Sequence, residues 1–575
     1  SAPLSFSGTN PSITVASSVG QTFSGPIVFN SDTSITTTNN GLLLSGDINE
    51  NGKNISFSSA AQGIRLTSYN STMVGGTLNL VKGGLTVETG ALGGAGGPKI
   101  IISNLFSGTK MGGNSYHTQF ANNIQLNDTG TNPFIFNGPF RSTGSIAGNI
   151  THDFIVTSGN STGLAGDLSG LVFSNGAKLI LGQNENNQLY FTGGLSPSFQ
   201  SNVEIDIGSG ETIGEDISFI QFNSNSNIAN TIKVRPGTVT PGRWAEIASL
   251  AGGTYTSTNF TGNIVLNSDG NAAVGSHLIT GYYGGPTAFK ISGVMSNGAS
   301  GAANIDFNVG NLLTLSGANT YTSPTFVGLF SPWNSYGFLN LTGSINSSLT
   351  TINAKSILYH SGTINGNVSA LSGSTINAGS VDFSQPVTSG FDQTQLLYSS
   401  VIPHDGIVNG NFTSAGSVIH RFGMGGGALD SKLIVNGNIA LAGSVVPISI
   451  APGTHTLVTY TGTRTGTFGT SVPGQAGSII TYDDVNKKIT ATINSPLYYN
   501  LVNSGNFSSS QSWEAGAPPI SDTVNIVSLT GSAGTSITLN QNETLNHLDV
   551  STSAKTLSGT QTLTFGGTNA TLSGS

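Results

Sequence analysis

One short phrase recurs along this chain: apolar and polar residues in near-alternation, closed by glycine. It reads Leu313-Thr314-Leu315-Ser316-Gly317, Leu339-Asn340-Leu341-Thr342-Gly343 and Leu433-Ile434-Val435-Asn436-Gly437, with looser echoes at Leu85–Gly90 and Leu563–Gly567. A period of two describes a strand with one buried face, and the closing glycine supplies the turn that lets the chain change direction. Units of this kind cannot bury their apolar side alone, so they must stack. A chain built from them is expected to form a solenoid whose surface is its working part.

A solenoid core grows in one dimension, so 575 residues do not force a division into several globular domains. The 80 Gly and only 8% charged residues, with a mean hydropathy of +0.05, could also describe a disordered polymer. Disordered chains are poor in Ile, Val, Leu and Phe, however, and here those residues recur with strand periodicity. The expectation is an ordered all-β fold. Lys and Arg total 18 against 26 Asp and Glu, a formal charge of −8. With no basic cluster to offset it, that balance disfavours nucleic acid and anionic membranes as partners. No apolar run approaches the roughly 18 residues that would span a bilayer, so no membrane insertion by this segment is expected. Ser1-Ala2-Pro3-Leu4 lacks the basic start and apolar stretch of a signal peptide, and the chain is expected to begin after a cleavage. There is no cysteine, hence no disulfide and no thiolate metal site. That fits a chain exported unfolded through a narrow pore, where a covalent loop would obstruct passage.

Residues 1 to 285 are a series of short β signals separated by Gly, Asn and Ser turns, including Asn51-Gly52 and Asn175-Gly176. The one helical turn the sequence suggests lies in Pro241–Leu250 and is too short to shape the fold. From Lys290 onward, Ile291-Ser292-Gly293-Val294-Met295 and then Leu313-Thr314-Leu315-Ser316-Gly317-Ala318-Asn319-Thr320-Tyr321-Thr322 resemble the autotransporter-associated β-strand repeat. The copy departs from that pattern at Asn304–Gly310 and at Phe330-Ser331-Pro332-Trp333-Asn334. Leu433–Gly443, His455–Gly462 and Gly466-Thr467-Phe468-Gly469 are similar to the stretch that follows the solenoid in such passengers, ending in a hairpin-like pair of strands around Asp483–Lys488. Trp513–Val524 resembles the opening of a further repeat block. The implied organisation is an N-terminal solenoid with loop insertions (1–285), its continuation with the repeat (286–430), a closing β module (431–496) and a truncated further block (497–575). The resemblance implies a right-handed parallel β-helix displayed outside a bacterial cell. About 20 to 25 residues per coil would make a rod on the order of 100 Å long.

Gly159-Asn160-Ser161-Thr162-Gly163, with His152-Asp153 upstream, has nucleophile-elbow spacing, but the elbow needs a helix after the serine and the sequence predicts none. Asp47-Ile48-Asn49-Glu50-Asn51-Gly52 fits half of a calcium loop, yet Ser58 stands where the bidentate Glu belongs, and a polar hairpin turn is the better expectation. Gly425-Gly426-Gly427-Ala428-Leu429-Asp430 approaches a calcium-binding nonapeptide but occurs once, whereas such sites need tandem copies. Glu204 and Asp206 share one face of a strand near Glu211, Glu215 and Asp216, the way paired carboxylates of a sugar-cleaving β-helix would be presented; a solvated strand face accounts for them better. His117, His152, His277, His360, His404, His420, His455 and His547 are scattered without metal-ligand spacing, and His404-Asp405-Gly406 reads as a loop. The Asn-x-Ser/Thr sequons follow from composition. Tyr282-Tyr283 and Trp333-Asn334-Ser335-Tyr336 could stack on sugars or anchor a protein, or staple loops. No catalytic, cofactor-binding or metal-ligating residue is assigned, and no cofactor is expected.

The expected function is therefore that of a non-enzymatic passenger at the bacterial cell surface, an adhesin or structural stalk. Its partners would be a surface protein or glycan of a host or neighbouring cell, with possible self-association. A self-assembling surface-layer or filament subunit is the alternative. A polysaccharide-degrading β-helix comes third and predicts that Glu204→Ala with Asp206→Ala abolishes glycan cleavage.

Overall fold

The computed structural model describes residues 3–39, 41–60, 63–68, 72–88, 91–93, 96–106, 109–113, 119–137, 141–157, 162–164, 166–168, 170–181, 188–191, 204–207, 217–222, 227–234, 244–249, 258–266, 276–280, 288–298, 305–310, 312–328, 337–381, 401–469, 478–493, 498–500, 504–507, 526–528, 536–545, 547–550, 556–565 and 571–572. Residues 1–287 with 292–306 form one unit, and 288–291 with 307–575 a second.

In the first unit each coil is a set of short strands joined by corners. Leu4–Phe6, Ser12–Val15 and Gln21–Phe23 make the first coil, and Ile27–Phe29, Thr33–Thr37 and Leu42–Leu44 the second. Each strand pairs in parallel with its counterpart one coil on. Ile13 lies beside Ile35 and Ile35 beside Phe57, an offset of 22 residues like that of the Thr37–Ser59 hydrogen bond. Like residues therefore stack on like. One face runs through twelve parallel strands, from Gln21–Phe23 to Met295–Asn297. Alternation is strict where the apolar signal is strict: Ile55, Phe57 and Ser59 point inward and are buried while Ser56 and Ser58 are half-buried. Leu42, Ile64, Leu85, Met111 and Phe136 follow one another up a single inward column. Each is essentially fully buried, and such burial contributes about 1.5–3 kcal/mol per side chain. Phe136 and Phe154 meet edge to face at 4.8 Å.

The second unit uses the same plan with coils of less regular length. Leu312–Leu315, Phe338–Leu341, Ile357–His360, Thr375–Val381 and Ile419–Met424 form successive rungs of one face. Ser344–Ile345, Thr363–Ile364, Gly406–Val408 and Leu433–Val435 are rungs of another. The step from Ile345 to Ile364 is 19 residues, but from Ile364 to Val408 it is 44. The extra length is an excursion: the chain leaves the coil past Gly379–Val381 and returns through Val401–Pro403, antiparallel to the departing strand. Asn340 anchors its root, donating from Nδ2 to the carbonyl of Val381 at 2.7 Å and accepting from the Val381 amide at 3.3 Å.

The three copies of the opening phrase do not share a face. Leu313 and Leu339 are neighbours on one, whereas Leu433 lies beside Gly406 on another. The phrase marks a strand and its corner, and each coil holds several of these. Its glycine is required by close approach: a Cβ on Gly343 would sit 2.3 Å from the carbonyl oxygen of Gly317 one coil below.

Parallel stacking ends at Gly453–Tyr460, which pairs antiparallel with Lys488–Ile493, and that strand in turn with Ile479–Asp483. A second small parallel stack follows. Tyr498–Asn500, Ile526–Ser528, His547–Val550 and Thr571–Leu572 form one sheet, Gly505–Asn506, Ser536–Leu539 and Thr556–Gly559 another, and Glu543–Leu545 pairs with Leu563–Phe565.

Three local expectations are revised. Trp244–Ser249 is a strand, paired with Ile217–Phe222 and Ser276–Thr280, where the sequence suggested a helical turn. Two ladders of backbone hydrogen bonds outweigh the weak helical propensity of six residues. Asn51-Gly52 and Asn175-Gly176 are turns with positive φ, 49° and 70° in the first and 56° and 77° in the second. The first connects strands of different faces, Ile48–Asn49 and Asn54–Ser59, and is not a hairpin. Coils of 19 residues fall just under the anticipated length.

Candidate functional site

The residues that the sequence offers for chemistry are placed in coil corners and strand faces. Thr162–Leu164, just after Ser161, is a strand pairing with Arg141–Ser142, so the helix a nucleophile elbow needs is replaced by sheet. Ser161 itself lies outside the described residues. His152 faces the carboxylate of Asp128, Nδ1 to Oδ1 2.9 Å, while Asp153 Oδ1 accepts the backbone amide of Lys178. Asp128 also receives the amide and hydroxyl of Thr151 and the side-chain amide of Asn104. Burial pushes the Asp128 carboxyl up, but those hydrogen bonds outweigh it and hold the group below the usual range.

The half calcium loop is likewise occupied by its own chain. Asp47 accepts from the Ser68 hydroxyl at 2.6 Å, Asn49 Oδ1 from the Asn51 amide, and Asn51 Nδ2 donates to Asn30 on the previous coil. Glu50 points inward and is fully buried, and burial raises its carboxyl above the ordinary value against the lowering effect of the nearby backbone amides of Glu50, Val74 and Gly52. In Gly425–Asp430 a short 3-10 turn spans Gly427–Leu429, and Asp430 accepts from Gly426 and pairs with His455. Asp405 pairs with Lys432, Nζ to Oδ2 3.2 Å, at a coil corner.

Glu204 and Asp206 occupy alternate positions of Glu204–Ile207, on either side of buried Ile205, with Asp206 in register with Ile180 and Lys233. Glu211, Glu215, Asp216, Tyr282, Tyr283, Trp333, Tyr336 and His117 lie outside the described residues. Among the described residues no three His, Asp or Glu side chains converge as metal ligands would, and no helix is long and apolar enough to cross a membrane.

Two features that sequence reasoning missed do converge. The first is a corner of the second unit built on Asn365-Gly366-Asn367, Asn409-Gly410-Asn411 and Asn436-Gly437-Asn438. Asn365 Nδ2 donates to Asn346 Oδ1 at 2.6 Å, Asn409 to Asn365 at 2.6 Å and Asn436 to Asn409 at 2.7 Å. In the adjacent column, Asn367, Asn411 and Asn438 accept the backbone amides of Asn411, Asn438 and Thr463 at 2.8–2.9 Å. Amides that repeat in register polarise one another and hold the coils in phase. The signal for this was present: an aliphatic residue followed by Asn-Gly-Asn, three times.

The second feature fastens the closing sheet. Arg464 grips Asp484 with both arms, Nε to Oδ1 2.8 Å and Nη2 to Oδ2 2.7 Å, and its guanidinium lies 4.7 Å over the Tyr482 ring. The Tyr460 hydroxyl donates to the same carboxylate, and the Tyr482 hydroxyl accepts the Phe468 amide at 2.8 Å. Hydrogen bonds from Arg464 and Tyr460 hold the Asp484 carboxyl down at about 2. Asp484→Ala is expected to raise amide exchange severalfold in Ile479–Asp483 and Lys488–Ile493 while leaving strands below Leu433 unchanged. Hydrogen exchange read by mass spectrometry checks this, and an unchanged hairpin would show that the carboxylate does not fasten it.

No family model, curated protein or solved structure matches the chain. What the structure shows is a parallel β-solenoid.

Proposed function

We propose that this chain is the exported passenger of an autotransporter-type protein, presented on the bacterial surface or released from it, and that it works as an adhesin or a structural stalk. The observation that carries the reading is the parallel β-solenoid of each unit, with in-register corners in the second and an antiparallel module where its parallel stacking ends. Such a scaffold places loops at coil corners, where they can contact a surface protein or glycan, and it needs no cofactor. Antibody labelling of intact cells making the full gene product tests the address. Labelling of unbroken cells is expected, and labelling only after lysis would overturn it. Saturable binding of the purified chain to a panel of cell surfaces or glycans tests the adhesin role.

Self-assembly into a surface layer or filament is a second reading, favoured by one feature. Ile479–Asp483 ends the strand order of the closing sheet, and Ile479 is 60% exposed there. An open strand edge is a template for another chain. Sedimentation across a wide concentration range separates the two readings, since a strictly monomeric chain would exclude the filament.

A further inference from the structure

Eight asparagines in the chain precede glycine: Asn40, Asn51, Asn137, Asn175, Asn297, Asn365, Asn409 and Asn436. This dipeptide can rearrange without an enzyme. The glycine backbone nitrogen attacks the asparagine Cγ, a nitrogen–carbon bond forms, the Cγ–Nδ2 bond breaks, and ammonia leaves with the proton from the attacking amide. Water then opens the cyclic imide to aspartate or isoaspartate. Sequence ranks all eight sites alike, because each lacks the side chain that would hinder attack. The fold does not.

We propose that Asn175-Gly176 is a site of spontaneous conversion to aspartate and isoaspartate, and that the corner ladder shields Asn365 and Asn409 from the same reaction. Reaction requires the amide to rotate until Cγ reaches the next nitrogen, and the glycine peptide to move toward it. At Asn175 both motions are open. The residue is exposed in the corner between Leu171–Phe173 and Leu179–Leu181, and among the described residues its side chain has no hydrogen-bond partner. The turn is closed by the Ala177 amide on the Ser174 carbonyl at 3.1 Å, so the Gly176 nitrogen is not used to close it. A Cβ added at Gly176 would meet nothing within 4 Å.

At Asn409 both motions are blocked. Its Nδ2 donates to Asn365 and its Oδ1 accepts from Asn436, so rotation breaks two hydrogen bonds. Gly410 is pressed against the coil below, where a Cβ would lie 2.3 Å from the Gly366 carbonyl oxygen. Asn365 is held in the same way between Asn346 and Asn409, with Gly366 pressed on Ser347. Asn436, the last rung, is held on one side only among the described residues. Conversion within the ladder would also be self-defeating for the corner, since an aspartate at 409 would set oxygen against the Asn365 oxygen now 2.6 Å from its Nδ2.

The test follows each site by peptide mapping of the intact chain during incubation at mildly alkaline pH, folded and in denaturant. Asn175 is expected to convert about tenfold or more faster than Asn365 and Asn409 in the folded chain, with the three rates converging in denaturant, because reaction at the ladder must await local opening. Equal folded rates, or faster loss at Asn409, would overturn the assignment. Asn365→Ala removes the acceptor of Asn409 Nδ2 and is expected to raise conversion at Asn409 severalfold with Asn175 unchanged. An unaltered rate at Asn409 in that variant would overturn the shielding.

Discussion

Acidifying the protein from about pH 6.5 to about pH 4 is expected to remove about 3 kcal/mol of stability for each of His360 and His420. Both rings are fully buried in the second unit, and burial pushes each down to about 4, offset in part by nearby backbone groups. His420 is packed among Phe412, Phe422 and Phe468, with Nε2 3.1 Å from the Ala442 carbonyl, which leaves no room for a hydrated cation. A Cβ on Gly406 would strike the His360 ring at 2.6 Å, so that side chain is equally confined. In the unfolded chain both titrate near the ordinary value of about 6.5. As pH falls below it, the unfolded state binds protons that the folded state refuses, and stability declines until the folded rings titrate near 4. Asp484 acts in a lower window, because it is held at about 2. The protection of the Ile357–His360 and Ile419–Met424 amides, taken relative to the intrinsic exchange rate at each pH, should fall between neutral and mildly acid pH, and His420→Gln should flatten that dependence by one proton. Protection that is indifferent to pH in this range would mean the rings are not sealed from water.

Leu339→Ala is the substitution expected to hurt most for its size. Leu339 is fully buried on the inward side of its strand, in register with Leu313 below and Leu358 above. Truncation removes apolar contact and leaves a cavity that two flanking coils cannot both collapse into, at about 2–5 kcal/mol. Because coils contact chiefly their neighbours, the loss should be local. Amides of Leu312–Leu315 and Ile357–His360 should exchange faster, while Asn54–Ser59 and Ile64–Leu66 in the first unit should not change. Thr314→Ala, at an outward and half-buried position of the same face where the hydroxyl accepts a 3.3 Å bond from Asn340, should cost about 1 kcal/mol or less. A uniform loss of protection in both units would contradict the local character of the stack.

Much of the architecture could be read before the structure. Strict alternation in stretches such as Asn54–Ser59 identifies half-buried strands, and the recurrence of short strands with glycine corners identifies stacking. Turn chemistry was equally legible at Asn51-Gly52 and Asn175-Gly176, where asparagine and glycine adopt positive φ. Less legible was which strand belongs to which face. Leu313 and Leu433 open the same phrase and lie on different faces, because a coil contains several strand-and-corner units and the spacing between coils varies from 18 to 44 residues. The strand at Trp244–Ser249 was hidden for a related reason, since its pairing partners lie a whole coil away on either side.

The closing cluster shows the same limit at the level of side chains. Arg464, Tyr482 and Asp484 stand close in sequence, yet nothing in their spacing says that one carboxylate is shared by a guanidinium and a tyrosine hydroxyl. The asparagine ladder was written in the chain as a repeated Asn-Gly-Asn, but hydrogen bonding between coils turns that repeat into a column.

From sequence alone, then, came the all-β class, the need to stack, and the positions of the corners. These follow from a local period of two and from residues whose backbone preferences are local. Tertiary structure alone decided the register between coils, the faces on which like phrases fall, the sealing of His360 and His420, and the unequal surroundings of Asn175, Asn365 and Asn409, each followed by the same glycine. All of those depend on what lies one coil away, roughly 20 residues distant along the chain but only about 4.8 Å distant in space.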